Sequence, residues 1–325
     1  MLSFYYNPYS NETFFGFFLQ FAIRLWAFLT GKLSVDGWVS DEIQVFVLIG
    51  VAASSAILGC FLVLRRMTML ANALSHTILL GIVGAYVLTI GVASDHGGSH
   101  HDSINITAML WASLAMGLVT TFLAEFLNKN MGLQEDASIG IVFSSLFALG
   151  VILVTLLTRS AHIGTEVVMG NVDGLQLADC KLVYFTLGVN CIIILLFFKE
   201  FKLTTFDQGF SRSLGISPTI YNYLLMTLVS ATAIAAFRAV GVLMVLSFLT
   251  GPSLTARFLT DRFKPMIFIS IGIGVFCSFT GVALSRHLLT VYGIALSTGG
   301  LVVCLIVLVF GLGLLTRRLK NDITI

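Results

Sequence analysis

The sequence has few charged residues. Only 10% of its 325 residues are Asp, Glu, Lys or Arg, whereas soluble globular domains carry roughly 25%. Hydrophobic residues make up 57% of the chain, and the mean hydropathy is +0.98. No polar block is long enough to fold apart from the apolar runs, which recur from end to end. These deficits argue against a separate soluble domain and predict one polytopic membrane domain.

The sequence also lacks the motifs of common enzymes. It contains no Gly-x-Ser-x-Gly elbow, His-Glu-x-x-His pair, Walker phosphate loop or dinucleotide fingerprint. Its five cysteines are scattered without a Cys-x-x-Cys pair, which indicates buried small side chains. A net charge of +2 gives no reason to expect a nucleic-acid partner. If the protein moves something uphill, the energy must come from an ion gradient or from another subunit.

Nine apolar segments are each long enough to cross a bilayer, whose hydrocarbon core needs roughly 20 helical residues. They predict an all-α, polytopic transmembrane helical bundle with about nine core spans, within residues 41–320. The predicted spans are 42–64, 71–93, 104–127, 137–158, 182–200, 219–236, 239–257, 265–285 and 295–315.

A tenth apolar stretch, residues 13–30, belongs to an N-terminal extension of residues 1–40. Gln20 and Arg24 interrupt it. An interfacial amphipathic helix and an extra span fit this composition equally well.

The distribution of basic residues predicts the orientation, because Lys and Arg favour the cytoplasmic side of a membrane. If Arg65 and Arg66 are cytoplasmic and the nine spans alternate, the C-terminus is cytoplasmic too. Twelve basic residues then lie inside: Arg65, Arg66, Lys129, Lys199, Lys202, Arg212, Arg257, Arg262, Lys264, Arg317, Arg318 and Lys320. Five lie outside: Lys32, Arg159, Lys181, Arg238 and Arg286.

Asn72 and His76 are the candidate metal ligands at membrane depth. They lie one helical turn apart in the second span, so that their side chains share a face. An imidazole nitrogen and an amide oxygen can both reach one divalent cation. A lone histidine in an apolar helix can equally be a hydrogen-bonded packing residue.

The predicted external loop between the second and third spans is rich in histidine. Short His-rich tracts can bind metal, although the neighbouring glycines would make any such site weak and exchangeable. The alternatives are a metal collector at the pore mouth and a solvated loop with incidental histidines. The residues concerned are Asp95, His96, His100, His101 and Asp102.

The longest internal connection, residues 201–218, has an apolar row in a polar segment. Phe206, Phe210 and Leu214 recur at a spacing of four, which predicts a short amphipathic helix. Gly215 and Pro218 are its expected stop.

Four stretches together resemble the permease family of bacterial ABC importers for manganese, zinc and iron. They are 65–81, with Asn72-Ala-Leu-Ser-His76; 135–144, with Glu135-Asp136-Ala137; 199–215, with Phe206-Asp207 and Gly215; and 238–257, with Gly241 and Pro252. The resemblance implies a type II-like permease, itself not an enzyme, in the bacterial cytoplasmic membrane. It further implies a second permease subunit, ATPase subunits inside and an extracytoplasmic metal-binding protein outside. The cargo would be Mn²⁺, Fe²⁺ or Zn²⁺, with no permanently bound cofactor.

The resemblance also assigns roles to residues. The family's metal pair is the Asp and His of Asp-Ala-x-Ser-His, which fall on Asn72 and His76 here. Asn keeps an oxygen ligand but loses the negative charge, so the site should bind metal more weakly or take a carboxylate from a non-identical partner subunit. The segment with Phe206, Asp207, Phe210, Leu214 and Gly215 would dock into a groove on the ATPase.

Three alternative functions can be compared with this one. A gradient-driven secondary carrier normally has inverted repeats and midplane carboxylates, but no acidic residue lies deep in a predicted span. An intramembrane metalloenzyme needs at least three ligands and a base at membrane depth, where only His76 qualifies. A vitamin or siderophore permease would line its path for a large ligand. Which metal is preferred, and whether the two permeases are identical, stay open.

Overall fold

The computed structural model is helical throughout the regular secondary structure that it describes. It describes residues 8–9, 12–32, 34, 37–69, 72–73, 77, 80–81, 84, 106–158 and 172–323. The helices are α1 (Phe14–Leu29), α2 (Ser40–Arg65), α3 (Ile106–Met131), α4 (Glu135–Thr158), α5 (Leu177–Leu196), α6 (Phe198–Phe206), α7 (Gln208–Ser213), α8 (Pro218–Val240), α9 (Val242–Leu259), α10 (Phe263–Tyr292) and α11 (Thr298–Ile323). A 3-10 turn, Val172–Gly174, precedes α5. Every described residue from 68 to 84 is also helical, within or next to the span predicted at 71–93.

Six described helices are long and apolar enough to cross a membrane: α2, α5, α8, α9, α10 and α11. Their bounds follow the predicted spans, although α10 and α11 continue to residues 292 and 323, past the predicted ends at 285 and 315, and one predicted span is broken. The span predicted at 182–200 ends at Leu196, because Phe197 leaves the α conformation and a separate helix starts at Phe198. The apolar pattern runs through this break, so hydropathy alone could not locate it.

Helix α2 is the central element of the bundle. It is buried along most of its length and packs against α5, α8, α9 and α10. Small residues permit this, as expected for helices that pack in lipid. A Cβ added at Gly59 would lie 1.9 Å from the carbonyl oxygen of Leu249, so α2 and α9 touch backbone to backbone.

The bundle has two ends with different contacts. After the orientation predicted from the basic residues, we call the end where α2 begins and α10 ends the outer end, and the opposite end the inner end. At the outer end, Arg286 donates to Asp41 over 2.7 Å. At the inner end, Phe61 of α2 packs against Phe201 of α6 and Phe263 of α10, with ring centroids 5.6 and 5.0 Å apart. These contacts show that α2 and α10 run in opposite directions, as the span prediction requires for these two helices.

Helix α1 lies across the outer part of α2 and α10. Near its start, Phe14 approaches His287 at 6.3 Å between ring centroids; farther along, Phe21 packs on Phe279 at 4.7 Å; and near its end Phe28 packs on Trp38 at 5.1 Å. Its first and last turns therefore contact the same, outer end of the bundle. Whether α1 lies at the interface or crosses the membrane stays open between the two predicted alternatives.

Candidate functional site

The internal connection forms two helices rather than the single amphipathic helix predicted from the spacing of four. Helix α6 ends at Phe206, Asp207 adopts an extended conformation, and α7 begins at Gln208. The Asp207 carboxylate accepts a hydrogen bond from the Phe210 amide at 2.8 Å, so that it caps α7. This use of a carboxylate at a helix start is common, because the first amides of a helix have no internal partner.

The predicted apolar row is nevertheless present at the surface. Phe206, Phe210 and Leu214 are 59%, 52% and 54% exposed. Gly215 ends the segment with a φ of +77°, which glycine adopts without strain, and Pro218 opens α8. We call residues 198–215 the coupling segment, after the role that the family resemblance predicts for it. Its apolar row is more than half exposed, with Phe206 in edge-on contact with Phe263 at 5.9 Å between ring centroids.

The coupling segment is tied rigidly to the core at its other face. Arg65, the last residue of α2, donates to Thr204 Oγ1 at 2.7 Å and to Thr205 Oγ1 at 2.9 Å. Phe201 is fully buried and packs on Phe61 and on Tyr221 of α8. A force applied to the coupling segment therefore reaches α2 and α8 directly.

Of the predicted metal pair, Asn72 is described and His76 lies outside the described residues. Asn72 is helical and half-buried. Its helical segment lies against α3 and α4, since Thr120 donates to Thr77 at 2.9 Å and a Cβ on Gly150 would meet the backbone of Leu80 at 3.4 Å. The pairing of Asn72 with His76 therefore stays a prediction.

The predicted external collector falls wholly outside the described residues, which exclude Asp95, His96, His100, His101 and Asp102. Within the described ranges, no group of three His, Cys, Asp or Glu side chains converges in a way that could hold a metal ion.

Sequence reasoning missed a buried ionic cluster at the outer end. Glu42, only 4% exposed, accepts hydrogen bonds from Arg24 Nε, from Arg24 Nη2 at 3.1 Å and from the Tyr9 hydroxyl at 2.9 Å. Hydrogen bonding to Glu42 raises the pKa of Arg24, and burial, followed by the charge of Glu42, raises the pKa of Tyr9. The sequence did contain one signal for this cluster. Arg24 is the only cation in its apolar helix, and the acids Asp41 and Glu42 follow at the start of the next one.

A second missed cluster lies between three helices at membrane depth. The fully buried amide of Asn190 on α5 donates to Ser54 of α2 and to Thr232 of α8, both at 2.6 Å. Polar side chains that join helices in lipid typically contribute about 0.6 kcal/mol each. The cluster fastens α2 to the two helices that flank the coupling segment.

Fold and site together define a class: a multi-pass helical membrane protein that has an exposed, firmly anchored coupling segment at one end. The chain belongs to the ABC 3 transport family, whose model matches residues 42–317. It is thus a membrane transport subunit and not an enzyme, and it works in a transporter complex in which the family implies an ATPase and a binding protein.

Individual relatives agree with this assignment. The chain is 41% identical over 309 residues to a Chlamydia muridarum protein named "Probable metal transport system membrane protein", with 95% of this chain and 94% of that one covered. It is 36% identical to the manganese transport system membrane protein MntD of Bacillus subtilis, over 74% of this chain and 80% of that one. A chain of PsaBC from Streptococcus pneumoniae, solved in complex with Fab, shares the fold: the TM-score is 0.69 at 24% identity, covering 86% of this chain and 92% of that chain. The predicted all-α polytopic bundle is confirmed.

Proposed function

We propose that this chain is the translocation subunit of an ATP-driven importer of divalent transition metal ions: manganese, iron or zinc. Relatives that cover most of the chain carry the names of manganese, iron and zinc transport systems. The observation that carries the proposal is the coupling segment, because its apolar row is exposed while its other face is bound to α2 and α8. Such a segment transmits movement from a docked ATPase into the helices.

The inner end of the bundle would face the cytoplasm of a bacterium, and the C-terminus would lie there as well. Support comes from the basic residues at that end, including Arg65, Lys129 and Arg212, since Lys and Arg accumulate on the cytoplasmic side. The outer end would then receive metal from an extracytoplasmic binding protein.

A second permease subunit, identical or related, would complete the pathway between the two chains. Asn72 and His76 would ligate the passing ion, with the carboxylate that Asn72 lacks supplied by a non-identical partner. The histidines of the external loop would collect metal at the mouth. The ion is cargo, and no resident cofactor is needed for its passage.

Vesicles that hold this chain with its ATPase test the proposal. Adding Mn²⁺, Fe²⁺ or Zn²⁺ with the binding protein should stimulate ATP hydrolysis and metal uptake together. A secondary carrier or an intramembrane enzyme would show no metal-dependent hydrolysis, and that result would refute the proposal.

Replacing His76 by Ala tests the pathway separately. We expect uptake to be abolished while the permease and ATPase still assemble, because only the ligand is removed. Leu308→Ala, at an exposed apolar position on α11, is the matched control and should leave uptake unchanged. Uptake that survives His76→Ala would exclude this residue from the pathway.

A further inference from the structure

A cavity of about 320 Å³ opens at the inner end beside the coupling segment. Its walls come from the end of α2, from α3 and α4, from the coupling segment and from the start of α8. Four basic side chains line it against one acidic side chain; they are Arg65, Arg66, Lys129, Arg212 and Glu125. The cavity therefore favours an anion and disfavours the cationic cargo.

These positive charges are largely uncompensated within the described part of the chain. Lys129 pairs with Glu125, but Arg66 and Arg212 make no ion pair among the described residues. The half-buried Arg65 donates to neutral oxygens only, those of Thr204, Thr205 and Asn222. A guanidinium group whose partners are all neutral keeps its positive charge available to an anionic ligand. Its planar arrangement of N–H donors matches the oxygens of a phosphate.

The backbone at Arg66 supports a role for its side chain. Arg66 has a φ of +60°, the only positive φ at a non-glycine residue in the described chain, and it closes α2 where glycine is the usual residue. A non-glycine residue is strained in this conformation, because its Cβ comes close to the following carbonyl oxygen. Retained strain of this kind points to a function of the side chain that a glycine could not serve.

The surroundings favour a lipid as the source of the phosphate. The cavity lies where α2 ends and α8 begins, at the boundary of the spans, and its wall includes the apolar Leu64, Met67 and Ile139. On α3, Phe122 and Phe126 directly follow the lining residues Thr121 and Glu125 and are exposed. A headgroup in the cavity would thus have an apolar helix surface beside it for its acyl chains. Basic pockets between helix ends on the cytoplasmic side typically bind anionic headgroups.

We propose that this cavity binds the phosphate of an anionic phospholipid from the inner leaflet, next to the coupling segment. The inference rests on the proposed function, because it takes the inner end as cytoplasmic. A lipid held by Arg65, Arg66 and Arg212 would join α2 to α7 and make coupling depend on the membrane's anionic lipid content.

Native mass spectrometry of the purified permease–ATPase complex tests this. Phosphatidylglycerol, phosphatidylcholine and soluble glycerol phosphate are titrated in turn, and retention of each is measured. We expect selective retention of phosphatidylglycerol. The double variant Arg66→Gln, Arg212→Gln should bind it roughly twenty-five-fold more weakly, since each basic residue near an anionic surface contributes about fivefold to the binding constant.

Two further variants separate charge from folding. Arg257→Gln, Lys264→Gln removes two exposed charges at the inner end outside the cavity and should retain the lipid. Arg66→Gly removes the charge while giving the backbone its preferred residue, so its loss of lipid cannot be attributed to misfolding. Equal loss in the control pair would overturn the proposal.

The remaining outcomes are equally decisive. Glycerol phosphate that binds as tightly as phosphatidylglycerol would overturn the lipid assignment in favour of a soluble phosphate. Loss of the ATPase from the Arg66 and Arg212 variants, with no lipid selectivity, would overturn it in favour of an acidic protein partner. A complex with metal-stimulated hydrolysis but no selective lipid binding would refute this inference alone. Selective lipid binding without metal-stimulated hydrolysis would refute the proposed function instead.

Discussion

The two ends of the bundle differ in how their charged residues are paired. At the outer end, Glu42 is buried and pairs with Arg24 and Tyr9, and Asp41 pairs with Arg286. At the inner end, Arg66 and Arg212 have no carboxylate partner within the described chain, and the apolar row of the coupling segment is exposed.

This difference indicates what each end is for. The outer end pairs its buried carboxylates within the chain, so changes to those pairs should alter stability. The inner end leaves charge and apolar surface to be met by other molecules, so changes there should alter assembly and coupling. An outer-end change that altered assembly, or an inner-end change that altered stability, would weaken this contrast.

The largest effect is expected from charge in the apolar row. Changing Phe206 and Phe210 to Asp would put carboxylates into an apolar groove of the ATPase, at a cost of several kcal/mol without a partner. Co-purification of the ATPase and metal-stimulated hydrolysis should therefore fall at least about tenfold. Thermal stability of the permease alone should fall by only about 0.5–1.5 kcal/mol, because both side chains are more than half exposed and the variant loses one aromatic contact, that of Phe206 with Phe263.

Leu259→Asp is the control for that experiment. Leu259 is an exposed apolar residue at the inner end of α9, outside the coupling segment. It should retain ATPase binding and hydrolysis. If the Phe206 and Phe210 variant also kept its ATPase undiminished, the docking assignment would be wrong.

The second effect concerns the outer end. Glu42→Ala removes the carboxylate that Arg24 and Tyr9 share and leaves a partly buried cation without its partner. Breaking a buried pair from one side costs about 3 kcal/mol at the lower end of the usual range, which applies here because Arg24 keeps some solvent contact. Thermal or denaturant unfolding in detergent measures the loss.

Asp261→Ala, at an exposed acid of the inner end, should change stability by less than about 0.5 kcal/mol. Folded Glu42→Ala protein should bind the ATPase as well as the parent chain does. A selective loss of ATPase binding in this variant would show that the outer end also controls assembly.

The contrast was only partly predictable from the sequence. Spans could be read from hydropathy because lipid imposes their length and composition, and the apolar row at 206, 210 and 214 survives the break at Asp207. That break was missed because one carboxylate capping one amide leaves no periodic signal.

The burial of Glu42 was missed because it depends on Arg24 and Tyr9 reaching it across the chain, a contact that no local pattern specifies. Asn72 and His76 rest on motif resemblance, so their role remains a prediction.

The smallest effect is expected at Tyr9. Tyr9→Phe removes one hydrogen bond to the Glu42 carboxylate, while Arg24 and the Val39 amide still hold that carboxylate. A loss of about 1.5 kcal/mol is expected, near the lower limit for bonds to charged groups.

Because burial, followed by the charge of Glu42, raises the pKa of Tyr9 above its ordinary value, the bond stabilises the fold fully below about pH 10. As the pH rises beyond that value, the unfolded chain ionises and this contribution is lost. The difference in unfolding free energy between the parent and Tyr9→Phe should therefore be constant from about pH 7 to 9 and shrink above about pH 10. A difference that does not shrink above about pH 10 would mean that the hydroxyl contributes by packing alone.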